Sequence, residues 1–259
     1  MVNPSQARSR AEGRIRLNLA RSRARGLSRI IASEENILGT MRHNFATTRH
    51  KPGAGDRVAR YVSAFGGEVS EIILSIRSLD SYWASALTYS LPRGHQVPGQ
   101  DRIARLVQQP RNWRDVIADI AAAAQGVPLF VSPYERMVGQ PDVLLEAATG
   151  TIMPACREVI WRNARPALPE LLRLPLSDAE RTQLTARSRA GRWHPLTDMQ
   201  KASLQDRYAD DIFWLRTGAD GLATYLEEHE SMQAKAHLPH ASQTRGQKHE
   251  QGYQLARPG

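Results

Sequence analysis

The run Ile72-Ile73-Leu74-Ser75-Ile76, followed by a bare Arg77, constrains the fold more than any other stretch. It is apolar and largely β-branched, and it reads as a buried strand. Immediately after it, Ser78 or Asp80 can cap a helix on which Tyr82, Ser85, Ala86 and Tyr89 share one face. Two other runs read as strands. One is "LSRIIASEEN" (27–36), whose core Ile30-Ile31-Ala32 ends in Ser33-Glu34-Glu35, and the other is "VPLFVSPYE" (127–135). Helical spacing separates them: Val58, Tyr61, Val62 and Phe65 before a glycine pair, then 100–109, then Trp113, Val116, Ile117 and Ile120. "PDVLLEAATG" (141–150) has proline in its first turn and glycine past its end, as a helix should. Residues 153–190 predict short helices broken at Pro166, Pro169 and Pro175, and 197–218 predict a helix with Leu204, Tyr208, Ile212 and Leu215 inward. Strands alternating with helices imply an α/β fold: a mostly parallel sheet flanked by helices, with a helical C-terminal part.

The net charge of +9 is unevenly placed. Residues 1–30 hold eight arginines against one acid, Glu12, so this segment alone carries +7. The body is nearly neutral, and nucleic acid is therefore not an expected partner of it. Only Lys51, Lys201, Lys235 and Lys248 are lysines, an arginine bias that fits a GC-rich bacterial genome. One cysteine, Cys156, excludes an internal disulfide framework and fits the cytoplasm. No apolar run approaches the roughly 18 residues of a membrane span, and the N-terminus lacks the apolar stretch of a secretory signal. The expected organisation is an arginine-rich helical arm (1–26), an α/β domain (27–228) and a polar, disordered tail (229–259).

In parallel sheets, ligands sit outside the carboxyl ends of the strands. The predicted strands deliver polar residues there: Ser33-Glu34-Glu35, Arg77-Ser78, and Ser132 through Glu135. Ser85 lies about two turns along the helix after Arg77, roughly 10 Å by helix rise. An arginine fork and a hydroxyl at that separation can grip one phosphate from two sides; the plain alternative for Arg77 is a solvated or ion-paired side chain. His237 and His240 have metal-compatible spacing but no third ligand beside them, so no metal is expected. Trp193-His194 reads as a surface loop or as a late basic loop near a nucleotide. Cys156, Trp83 and Trp113 read as core.

Arg77-x7-Ser85 on a strand-to-helix element resembles the 3′-phosphate-binding motif of sulfotransferases, whose fold is P-loop NTPase-like. "FVSPYERMVGQPDVLLEAATG" (130–150) is similar to a later segment of that family, and "IIASEENIL" to the Ser-Glu-tipped strand of many bacterial members. The resemblance covers about residues 27–150 and extends to the helix around Tyr208. It implies 3′-phosphoadenylyl sulfate as co-substrate, with Arg77 and Ser85 holding its 3′-phosphate. Glu34, or else Glu35, would be the general base toward a hydroxyl or amine of a small-molecule or carbohydrate acceptor. Glu34 has a structural alternative, a carboxylate that bonds loop amides, and Tyr134 and Glu135 would hold the strand end. The family opens with a strand and a "KxGTT" loop that cradles the phosphosulfate. Here "LGTMRHNFATTRH" (38–50) follows the Glu-tipped strand instead, and no lysine precedes Lys51. The fold is thus expected to be incomplete at its N-terminus and its transfer activity weak. The competing reading is a non-catalytic protein that uses the basic arm on nucleic acid or an anionic surface.

Overall fold

The computed structural model describes residues 4–149, 151–155 and 164–226. The arginine-rich segment is a helix, α1 (Pro4–Ala24), whose half-buried stripe of Glu12, Ile15, Leu19 and Ser22 turns toward the body. Then follow α2 (Met41–Thr47), capped by the Thr40 hydroxyl, and α3 (Ala54–Ala64), against which α1 lies. An ion pair between Arg23 and Glu68 fastens the end of α1. Strand β1 (Ile72–Ile76) leads through Arg77 and Ser78 into α4 (Leu79–Ser90), as the apolar run predicts; Ser78 stands at the N-cap position, but its hydroxyl bonds Asp80 and caps no backbone amide. Next come α5 (Gln100–Gln108) and α6 (Trp113–Ala124), the latter opened by an Asn112–Asp115 capping box. Strand β2 (Leu129–Pro133), α7 (Tyr134–Met137) and α8 (Pro141–Thr149) follow. The later part contains α9 (Leu168–Leu172), α10 (Asp178–Ala186) and a small hairpin of β3 (Ser188–Arg189) and β4 (Arg192–Trp193). It ends with the long α11 (Asp198–Arg216) and β5 (Thr224–Tyr225).

The fold is α/β around a small parallel sheet of order β1-β2-β5. Five consecutive residue pairs join β1 to β2, from Ile72–Leu129 to Ile76–Pro133, and β5 pairs with β2 on its other side. The expectation of a buried strand at 27–36 is overturned. Residues 27–34 join none of the described strand pairings, and Leu27, Ile30 and Ile31 are 50%, 43% and 48% exposed. Both edges of β2 are taken by β1 and β5, and three apolar residues between polar flanks do not compel a strand to form elsewhere. The third strand is instead β5, after α11. Cys156 and the tail with His237 and His240 lie outside the described residues.

One core joins the covered sheet face to the helices, and Trp83 and Trp113 belong to it as expected. Leu74, Ile76, Leu129 and Val131 of the sheet are buried there, whereas Ser75 on the opposite face is exposed. The inner residues of α11, Leu204 and Leu215, are buried, with Tyr208 and Ile212 packed beside them. Helices α3 and α6 run in close contact, and Gly55 sets their distance: a Cβ there would stand 2.8 Å from the Asp119 carbonyl oxygen. That oxygen belongs to the backbone of α6 and cannot yield without moving the helix. Gly55→Ala should therefore lower stability by about 1–3 kcal/mol from overpacking, against the roughly 1 kcal/mol that alanine gains as a helix former. Urea unfolding measures it, and an unchanged or raised midpoint would contradict this account of the α3–α6 contact.

Candidate functional site

The site is built on the peptide that links Arg77 to Ser78. Its carbonyl oxygen accepts a 2.7 Å hydrogen bond from the Trp113 indole Nε1–H, at the start of α6. Its amide donates to Glu135 Oε1 of α7 at 2.8 Å. The Tyr208 hydroxyl of α11 lies 3.4 Å from the other Glu135 oxygen. Glu135 thus holds the end of β1 in place, the structural role that the resemblance gives it. Tyr134 serves the same corner, with the Arg77 guanidinium 4.9 Å from its ring centroid.

Arg77 is half-buried, and its Nε is buried with no hydrogen-bond partner. No carboxylate pairs with it among the described residues. Instead a second arginine, Arg165, lies near enough to repel it. Arg165 donates from Nη2 to the Trp193 carbonyl, which ties it to the β3–β4 hairpin, and its Nε is likewise buried and partnerless. Burial, then repulsion from Arg192 and Arg77, pulls the Arg165 pKa below its ordinary value. Arg165, but not Arg77, lines a cleft of about 500 Å³. Asp80, Ser81 and Ala84 of α4 form one wall; Arg165, Arg187, Arg189, His194 and Lys201 bring positive charge or donors to the others. His194 is held below the usual imidazole range, by burial first and by Arg165 next. Ser85 is half-buried on α4, one turn beyond Ser81, and is not among the residues that line this cleft.

The structure brings Arg77 and Ser85 onto one strand-to-helix unit and leaves Glu34 apart from it. Glu34 sits in an exposed turn, where Oε1 accepts from the Asn36 amide at 3.0 Å and from Asn36 Nδ2 at 3.1 Å. Glu35 lies near Lys51 and favours its charge, but burial outweighs this and lowers the Lys51 pKa to about 8. Sequence reasoning missed Arg165 entirely, because an arginine before Pro166 carries no periodic or motif signal. It reads Trp193-His194 as a surface loop or a late basic loop; the structure instead forms the β3–β4 hairpin there, with Trp193 fully buried and His194 on the cleft wall. No group of three potential metal ligands occurs among the described residues, and none of their helices is long and apolar enough to cross a membrane.

Behind α4 lies a buried polar cluster. The His50 ring contacts Trp113 edge-on at 4.4 Å and Tyr82 at 5.0 Å between centroids. Both its nitrogens lack a hydrogen-bond partner. Asn44 Nδ2 donates to the Tyr82 hydroxyl, whose pKa burial pushes up to about 12. Burial, followed by repulsion from Lys51 and Arg111, holds His50 well below the usual imidazole range; the nearby Asn112 backbone opposes this without reaching hydrogen-bond geometry.

No family model, no curated protein and no solved structure matches the chain.

The buried imidazole gives a testable pH dependence. In the folded chain His50 stays neutral, whereas the unfolded imidazole takes up a proton below about pH 6.5. Stability linked to His50 is therefore complete above that pH and falls by about 1.4 kcal/mol per pH unit below it, until the folded pKa is reached. Asp211 works in the opposite direction: burial raises its carboxyl to about 6, so it lowers stability as pH rises from the unfolded value toward 6. Comparing wild type with His50→Phe cancels Asp211. The stability difference between them should shift by about 1.4 kcal/mol per unit between pH 6.5 and 5. A pH-independent difference would show that His50 takes up its proton as readily in the fold as in the unfolded chain.

Proposed function

We propose that the chain is a sulfotransferase-like α/β domain, of P-loop NTPase type, that binds 3′-phosphoadenylyl sulfate through its 3′-phosphate. One observation carries the reading. Arg165 lies within electrostatic reach of Arg77, neither has a carboxylate partner among the described residues, and each keeps a buried, partnerless Nε. A buried donor left unsatisfied costs on the order of 1–3 kcal/mol, and like charges add to that. A phosphate dianion answers both costs, because it accepts several bonds at once and neutralises two guanidinium groups. The position of this pair, outside the carboxyl end of a parallel strand, is where such folds take ligands. Ser85 would add a hydroxyl from α4.

The residues fit the 3′-phosphate end of the co-substrate better than its phosphosulfate end. Strand β1 passes through Arg77 and Ser78 straight into α4, with no glycine-rich cradle between. The bound co-substrate would supply the sulfuryl group for a hydroxyl or amine of a small-molecule or carbohydrate acceptor. The base, Glu34, enters this reading by resemblance alone, since its carboxylate is bonded to Asn36. No metal has a part in it.

Calorimetric titration with adenosine 3′,5′-bisphosphate tests the reading. Binding is expected, with adenosine 5′-monophosphate weaker. Arg77→Ala should weaken the bisphosphate by about 10–100-fold, the worth of a charge-assisted bond, and Ser85→Ala by less than about 10-fold. Glu34→Gln should leave binding unchanged. Equal affinity for both nucleotides, or an Arg77→Ala variant that binds normally, would overturn the assignment. In a sulfate-transfer assay the same chain should be nearly inactive, since each missing oxyanion donor costs on the order of 10²–10³ in rate. Robust turnover would mean that another segment forms the cradle.

A further inference from the structure

The charge on α1 is a separate matter from the cleft. This helix rests on α3 with one side only, the stripe of Glu12, Ile15, Leu19 and Ser22. At about 100° per residue, the outward side has an ordered arrangement. Arg10, Arg14 and Arg21 fall along one flank, and Arg16 and Arg23 along the other, with Gly13, Leu17 and Ala20 between them. Arg23 is held by Glu68, and Arg10, Arg14, Arg16 and Arg21 are exposed with no acidic partner among the described residues. Arg10 and Arg21 are about 16 Å apart along the axis by helix rise.

We infer that α1 docks on double-stranded DNA, its outward side facing a groove, with Arg10, Arg14 and Arg21 reaching phosphates on one side and Arg16 those on the other. The major groove of B-form DNA admits an α-helix, whereas that of an RNA duplex is deep and narrow. Arginine, used here to the exclusion of lysine, offers a planar fork that matches phosphate oxygens. Between the rows stand glycine, alanine and one leucine, which add little bulk and carry no side-chain donor or acceptor. Contacts would thus go to the backbone and carry no base sequence. A bilayer fits less well: outward-facing α1 presents one large apolar residue, Leu17, and no aromatic, too little to insert an amphipathic helix. With the rest of the chain near neutral, the attraction is local to this helix.

This inference does not rest on the Arg77 site, and Arg77→Ala serves as its control. Fluorescence polarisation of a labelled duplex of about 20 base pairs, titrated with the full chain from about 50 to 200 mM salt, reads it out. Four free arginines predict a log–log salt slope of about −3.6. The triple variant Arg10→Gln, Arg14→Gln, Arg21→Gln should lose binding at the higher salt and flatten the slope by about 2.7. Its thermal midpoint should stay put, because these side chains are exposed. Arg77→Ala should bind DNA as wild type does. Absence of duplex binding at the lowest salt, wild-type binding by the triple variant, or tighter binding to phosphatidylserine vesicles than to the duplex would each overturn the inference.

Discussion

Both polar groups of the Arg77–Ser78 peptide are taken by side chains from other parts of the chain, and the remaining architecture converges on that link. Trp113 takes the carbonyl and Glu135 the amide. To the extent that such a half-buried peptide is shielded from water, it must find partners or bear the cost of desolvation. Here the partners are not the next strand of a ladder but the first residue of α6 and the first turn of α7. Trp113 is itself fixed from α11: Asp211 accepts from its amide at 3.0 Å, and a longer contact reaches the Arg114 amide. In the same helix, Arg207 donates to the Val107 and Pro110 carbonyls and so clamps the turn between α5 and α6. The end of one short strand is thus located by side chains 36 and 57 residues on, and through them by α11, more than a hundred residues away in sequence. Its guanidinium starts from a fixed origin.

The same geometry explains how two unpaired arginines can coexist beside the cleft. Arg165 is brought in by a segment that belongs to no helix or strand, yet its Nη2 is fastened to the Trp193 carbonyl, and Trp193 is fully buried. Arg77 gains partial compensation from the face of the Tyr134 ring. Neither contact satisfies the Nε donors or removes the like-charge repulsion. The core of Trp83, Trp113, Ile76, Leu79 and their neighbours bears that cost. Carboxylates near this region are engaged elsewhere: Asp80 accepts from Ser78 and from Gln205, and Asp198 pairs with Arg189. Asp198 thus neutralises Arg189 within the cleft wall, whereas neither Arg77 nor Arg165 has a carboxylate partner among the described residues.

Much of this was legible in the sequence where local physics decides. The apolar run ending at Arg77, the stripe of α6 and the stripe of α11 each predict the element found, because periodic burial acts within a few residues. Glu135 as a structural residue also follows the expectation. The failures are tertiary. Ile30-Ile31-Ala32 looks as strand-like as Ile72-Ile73-Leu74, and nothing local reveals that both edges of β2 are already occupied. The strand that does occupy the second edge has two residues, Thr224 and Tyr225, fewer than any periodicity can register. Glu34 was assigned a strand tip that does not exist, so its placement was lost with the strand. Arg165 is near Arg77 only because the chain folds back.

Positive charge is used in this chain in two physically distinct ways, and salt distinguishes them. The arginines of α1 stand in water, where a Debye length of about 8 Å at physiological ionic strength limits their reach and their pairing is cheap to exchange. Their worth lies in number and spacing along a rod. Arg77 and Arg165 are few, but their Nε atoms are dehydrated and the backbone around them is fixed. Interactions there are screened far less, and they depend on the geometry of a single bound group. A partner of α1 would be held by many weak contacts that ions displace, and an anion at Arg77 and Arg165 by two or three strong ones that ions barely touch. The net charge of +9 therefore measures neither site by itself: most of it sits on the arm, and Arg77 and Arg165 add little to the total.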